Sequence, residues 1–219
     1  MTRRLFVAVA LTSMVSLSSA YPQSVNFLEL AKSGTPERVK AAIDKGADVN
    51  AGDSDGWTPL MAAAGYNPNP VVITTLLKAG ADVNAWDTLS MTALNWAAMH
   101  NRNPAVITAL IKAGADLEAR DIAGDTPLLF ASWYNPNPEV VHTLLRAGAD
   151  PKVQDHTDET ALMLAARYGK NSEDLTMLIE AGADAKVKDK LGMTAFDYAK
   201  ANKRLKGTAG FRMLQAASQ

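Results

Sequence analysis

The chain has 219 residues, enough for one domain with a sizeable core or for a linear array of small units. Apolar residues make up 47% and charged residues 21%, which excludes global disorder, and 22 Lys plus Arg against 23 Asp plus Glu leave no basic footprint for nucleic acid. With no cysteine and three histidines, the composition excludes disulfide scaffolds, thiol nucleophiles, thiolate zinc sites and iron–sulfur clusters.

Residues 1–20 read as an export signal. Arg3 and Arg4 precede a mostly apolar stretch over 5–17, and Ser18-Ser19-Ala20 supplies small residues before a cut. That stretch is short of the roughly 20 residues a membrane-spanning helix needs. Cleavage after Ala20 removes two basic residues and leaves 20 basic against 23 acidic, a net charge of −3. No later segment is apolar for long enough to cross a bilayer, so no stable membrane insertion is expected after cleavage.

A period of 34 residues organises the rest. Gly-Ala-Asp starts at Gly46, Gly80, Gly114, Gly148 and Gly182. Thr58, Thr92, Thr126, Thr160 and Thr194 keep the same step, and so do Asp53, Asp87, Asp121, Asp155 and Asp189. An amino-terminal capping unit is expected over 24–54, opening with apolar Val25, Phe27, Leu28 and Leu30. Four internal units follow over 55–190. A carboxy-terminal cap with a final helix near 211–217 closes the chain over 191–219. Each internal unit predicts helix, turn, helix and extended finger. The threonine is an N-cap, with proline at the first helical position in Thr58-Pro59 and Thr126-Pro127. The first helix is rich in small residues, as in Ala62-Ala63-Ala64. Asn67-Pro68-Asn69-Pro70 and Asn135-Pro136-Asn137-Pro138 are turn chemistry. The second helix carries an apolar stripe, read as Ile73, Leu76, Leu77, then Ile107, Leu110, Ile111, then Val141, Leu144, Leu145. A C-terminal glycine in the left-handed region ends it.

Thr58-Pro59-Leu60, Thr126-Pro127-Leu128 and Gly80-Ala81-Asp82-Val83-Asn84 make the chain resemble the ankyrin-repeat family over about residues 24–204. The resemblance implies a mostly α solenoid of paired antiparallel helices with hairpin or extended finger loops, about six units including caps. The family unit is usually 33 residues. The extra residue here falls near Asn67, Asn101, Asn135 and Lys170. The family's histidine after Thr-Pro-Leu is replaced by Met61, Asn95, Leu129, Met163 and Asp197, so its polar link between repeats must be replaced or absent. The Asn-Pro turns and Phe196-Asp197-Tyr198-Ala199 look similar to bacterial members, which agrees with the export signal.

The resemblance also implies a concave surface of finger tips and first-helix ends. Mapped residue by residue, its partner-binding positions are Trp57, Trp86, Leu89, Met91, Arg120 and His156 in the fingers. At the helix ends they are Tyr66, His100, Trp133, Tyr134, Arg167 and Tyr168. Trp, Tyr and Arg dominate binding hot spots. Trp96, at an inward position, is expected in the core. Tyr66, Tyr134 and Tyr168 recur at one repeat position, as either a binding stripe or a structural stack.

No catalytic constellation is present. Gly-rich phosphate loops and Gly-x-Ser-x-Gly are missing, and His100, His142 and His156 are too far apart for a local ligand pair. One aspartate per finger cannot supply the converging oxygens calcium needs, so the aspartates are read as turn acceptors. No catalytic residue, metal or cofactor is expected. The sequence reads as an exported, non-enzymatic scaffold, periplasmic before fully secreted. It is expected to act as a monomer that binds a protein partner, not nucleic acid, through the aromatic face. A small-ligand or enzymatic groove between fingers, or a self-associating module, are the alternatives.

Overall fold

Each repeat threonine starts a helix because its extended backbone aims the side-chain oxygen at the free amides of the first turn. The computed structural model describes residues 22–169 and 172–219; the export signal at 1–20 and the turn residue Lys170 lie outside them. Among the described residues the helices are α1 Pro22–Ser33, α2 Pro36–Asp44, α3 Pro59–Tyr66, α4 Pro70–Lys78, α5 Ala93–His100 and α6 Pro104–Lys112, followed by α7 Pro127–Tyr134, α8 Pro138–Arg146, α9 Ala161–Tyr168, α10 Glu173–Glu180, α11 Ala195–Ala201 and α12 Ala209–Ala217. Odd-numbered helices pack on odd-numbered neighbours and even on even, which makes two layers of a solenoid with six helix pairs.

The hydroxyls of Thr58, Thr92, Thr160 and Thr194 accept from the amides of Met61, Asn95, Met163 and Asp197. Thr126 departs from the expectation: it precedes α7 with no side-chain capping bond. Its hydroxyl is buried without a hydrogen-bond partner among the described residues. At the other end, Gly80 has φ +93°, and the Gly80 and Ala81 amides donate to the Leu77 and Leu76 carbonyls. Only a residue without Cβ takes that conformation cheaply.

The apolar stripe keeps two of its three expected residues in each second helix, and its third is the valine at the helix start instead of the last leucine or isoleucine. Val72, Ile73 and Leu76, then Val106, Ile107 and Leu110, then Val140, Val141 and Leu144, are fully buried. Leu77, Ile111 and Leu145 are only half-buried. Each second helix is wedged between two neighbours and the first layer, so its buried arc turns toward the valine.

A ladder of asparagine amides, with one further link from Asn95, ties the units together. The buried amide of Asn101 donates to the Ala64 and Asn67 carbonyls at 2.9 Å each, and Asn135 repeats this on Ala98 and Asn101. Asn67 does the same on Ala31 and Gly34, and Asn202 on Ala166 and Gly169. These asparagines are therefore more than turn formers: their amides satisfy carbonyls one unit back. At the histidine position, Asn95 Oδ1 accepts from the Thr92 amide and hydroxyl, while its Nδ2 donates to the Ala119 carbonyl.

The aspartates do act as turn acceptors. Asp53, Asp87, Asp121, Asp155 and Asp189 each take two amides on Oδ1, from the residues two and four positions on. Successive fingers are pinned by single backbone bonds, such as Ile122 to Leu89 and His156 to Ala123 at 3.0 Å each.

Candidate partner-binding face

The first helices all end at the same level beside the fingers, and large rings collect there. Trp57, at the base of its finger, packs edge-on against Tyr66 and Trp96 at 6.0 and 5.5 Å between centroids. His100 stacks on Tyr66 and on Trp96 at 5.1 and 5.7 Å. Lys32 places its ammonium 5.1 Å over Tyr66. A second cluster follows along the array: Trp133 stacks on Tyr134 at 4.3 Å and on Tyr168 at 5.6 Å. The Arg167 guanidinium lies between Tyr168 and Tyr198, 5.1 and 4.7 Å from their centroids. Its Nη1 also reaches Glu159 Oε1 at 3.0 Å.

Burial sorts the sequence-expected residues. Tyr66, His100, Trp133, Tyr134, Arg167 and Tyr168 are half-buried, each leaving part of its surface to solvent. Trp57 and Met91 correct the sequence reading: they are 5% and 0% exposed. Both follow the finger turn directly, where the chain dives to start the first helix, so their side chains enter the core and cannot meet a partner. Trp96 is buried, as expected.

Apart from Trp57, the finger residues do not join the ring clusters. Trp86 is 70% exposed and lines a shallow cleft between fingers with Asp116 and Arg120. Leu89 is half-buried against the core, and His156 is exposed over Gly124. Arg120 donates to the Gly124 and Gln154 carbonyls, so it serves the finger as well as the surface.

The electrostatics follow from desolvation. Burial pushes the His100 imidazole below its usual value and the Tyr66 phenol above its own. His100 is therefore a neutral stacking ring at pH 7. Tyr198 is pushed up to about 12 by burial and by donating its hydroxyl to Asp189 Oδ2. The equivalent bond in the second internal unit runs from Trp96 Nε1 to Asp87 Oδ2 at 2.9 Å. Sequence reasoning missed this use of the second aspartate oxygen; the signal was a donor nine residues after the aspartate. Trp57 Nε1 and His100 Nε2 are buried with no hydrogen-bond partner among the described residues.

Among the described residues no group of three or more His, Asp or Glu side chains is placed to hold a metal ion, and no helix is long and apolar enough to cross a membrane. The description of ankyrin repeats (3 copies) matches residues 27–121 and 128–209. The chain belongs to the ankyrin-repeat family. A comparison with curated proteins returned no match. Ankyrin repeats generally mediate protein–protein interaction and serve as non-enzymatic scaffolds. The ankyrin array here departs from the 33-residue unit through the asparagine turns described above, and Asn67, Asn101, Asn135 and Asn202 link their repeats to the preceding ones.

Proposed function

We propose that this ankyrin-repeat chain is an exported, non-enzymatic scaffold that binds a protein partner through the aromatic row at its first-helix ends. The observation that carries this reading is the row itself: Tyr66, His100, Trp133, Tyr134 and Tyr168 stay half-exposed at one level of successive units. A core needs no such residues at its rim, and an uncovered aromatic row costs free energy in water. The helices and the asparagine ladder preorganise the rings, so little ordering entropy is lost on association. The composition of residues 1–20 supports export, to the periplasm first and the medium second.

Affinity capture from a bacterial envelope fraction tests the binding face. Trp133→Ala with Tyr168→Ala is expected to lose the captured protein while keeping the helical circular dichroism. Equal capture by wild type and variant would remove the row from the function. Export is checked by the mass of the protein in the osmotic-shock fluid, which should lack residues 1–20.

A further inference from the structure

The aromatic row ends where the charge of the chain changes sign. Residues 184–219 hold eight basic and three acidic side chains, whereas residues 22–183 hold twelve basic and twenty acidic. At that junction Arg167, Tyr198, Lys203 and Arg204 line one open cleft, floored by Met193 and Asn202. Its carboxylates are already engaged. Glu159 holds Arg167. Asp197, also in the cleft, is bonded by Lys200 at 2.7 Å and by the Thr194 amide and hydroxyl, which keep it well below the usual carboxylate range. Lys203 and Arg204 are exposed and form no ion pair among the described residues. The cleft thus presents two uncompensated cations at the end of a row of rings.

We propose that this cleft takes the carboxylates of a short acidic segment of the partner protein, whose neighbouring apolar side chains lie on Tyr168, Trp133 and Tyr134. The proposal rests on the aromatic row being the partner face. Continuity supports it: Arg167 stacks on Tyr168, which stacks on Trp133, so one extended segment meets rings and cations in sequence. Charge complementarity selects the partner's sign. The acidic remainder of the array selects its length. Nucleic acid or an anionic membrane would also face the fingers, where Asp82, Asp116 and Asp150 lie exposed, and would be repelled there. A run of about two to four carboxylates stays within a Debye length of the cleft.

The test is selection of displayed random peptides of about 12 residues, long enough when extended to span row and cleft, on the full chain. Enriched peptides are expected to pair aromatic or aliphatic residues with Asp or Glu. Their affinity should fall about tenfold in K203E/R204E, whose melting should match wild type because both residues are exposed, and again at high salt. The same peptides should also weaken in Tyr168→Ala. Enrichment of neutral or basic peptides that need Trp133 would overturn the acidic segment and leave the aromatic face standing. Acidic peptides indifferent to Tyr168→Ala and Trp133→Ala would overturn the proposal through the face itself. No enrichment, or equally tight binding of single-stranded DNA or phosphatidylglycerol vesicles, would overturn it as well.

Discussion

The buried asparagines show how much one side chain carries in a repeat array. Asn135 donates twice to carbonyls of the preceding unit and also accepts the Asn137 amide at 3.0 Å. Removing the amide leaves buried carbonyls with lone pairs unmet. Asn135→Ala is expected to cost about 2–3 kcal/mol in urea unfolding, against a few tenths for a surface change. A loss below about 0.5 kcal/mol would mean that water replaces the amide. Trp57→Ala makes a contrasting case: buried beside Trp96 and Tyr66, it should lose about 3–5 kcal/mol. The sequence showed these asparagines in register, and Trp57 before its threonine, but not their roles. An Asn before proline forms a turn whether or not its amide reaches back across the stack. A tryptophan before Thr-Pro-Leu looks the same pointing in or out until the finger's descent is known. Tyr66 and Tyr168, at helix ends, were legible because helical spacing sets their direction.

At the scale of elements, the fingers are stacked by single backbone bonds and tolerate little bulk between them. Gly124 has φ +83°, and a Cβ there would lie 2.8 Å from the His156 ring and 3.0 Å from its backbone nitrogen. Gly124→Ala therefore strains its own backbone and pushes the next finger away. A loss of about 1–2 kcal/mol is expected, with faster amide exchange at His156, whose N–H bonds the Ala123 carbonyl. Unchanged exchange at His156 would show that the fingers move independently. Leu110, fully buried between neighbouring second helices, should cost about 2–5 kcal/mol on replacement by Ala. Helix existence, most of the caps and the 34-residue period could be read from sequence because they depend on local chemistry. The exchange of Leu77 for Val72 in the buried stripe could not, since it depends on how each helix meets two neighbours.

Across the whole molecule, stability is a sum of units and the seams between them, so the weakest seam decides where unfolding starts. That seam is expected between α8 and α10. One repeat step after Val72, Val106 and Val140, all fully buried, stands Asp174, 2% exposed. Burial, aided by the neighbouring Glu173, pushes its carboxyl up to about 7 from the ordinary 3.8. Gly169, at the ladder position of Asn135, has no side-chain amide to donate to the preceding unit, and Ser172 precedes α10 without a side-chain capping bond. The sign of the pH effect follows from the two values. Between 3.8 and about 7 the folded chain keeps a proton that the unfolded chain has released, so stability falls as pH rises through that window and levels off above it. Asp174→Val restores the repeat's own residue. It should raise stability at pH 8 by about 1–3 kcal/mol and flatten the dependence between pH 4 and 7. Hydrogen exchange of the wild type should show α9 to α12 opening before α3 to α8, with the difference shrinking in the variant. Uniform exchange along the array, or a variant as pH-sensitive as wild type, would place the weak seam elsewhere. The row of rings crosses this seam between Trp133 and Tyr168, so its opening would split the partner face before the rest of the array unfolds.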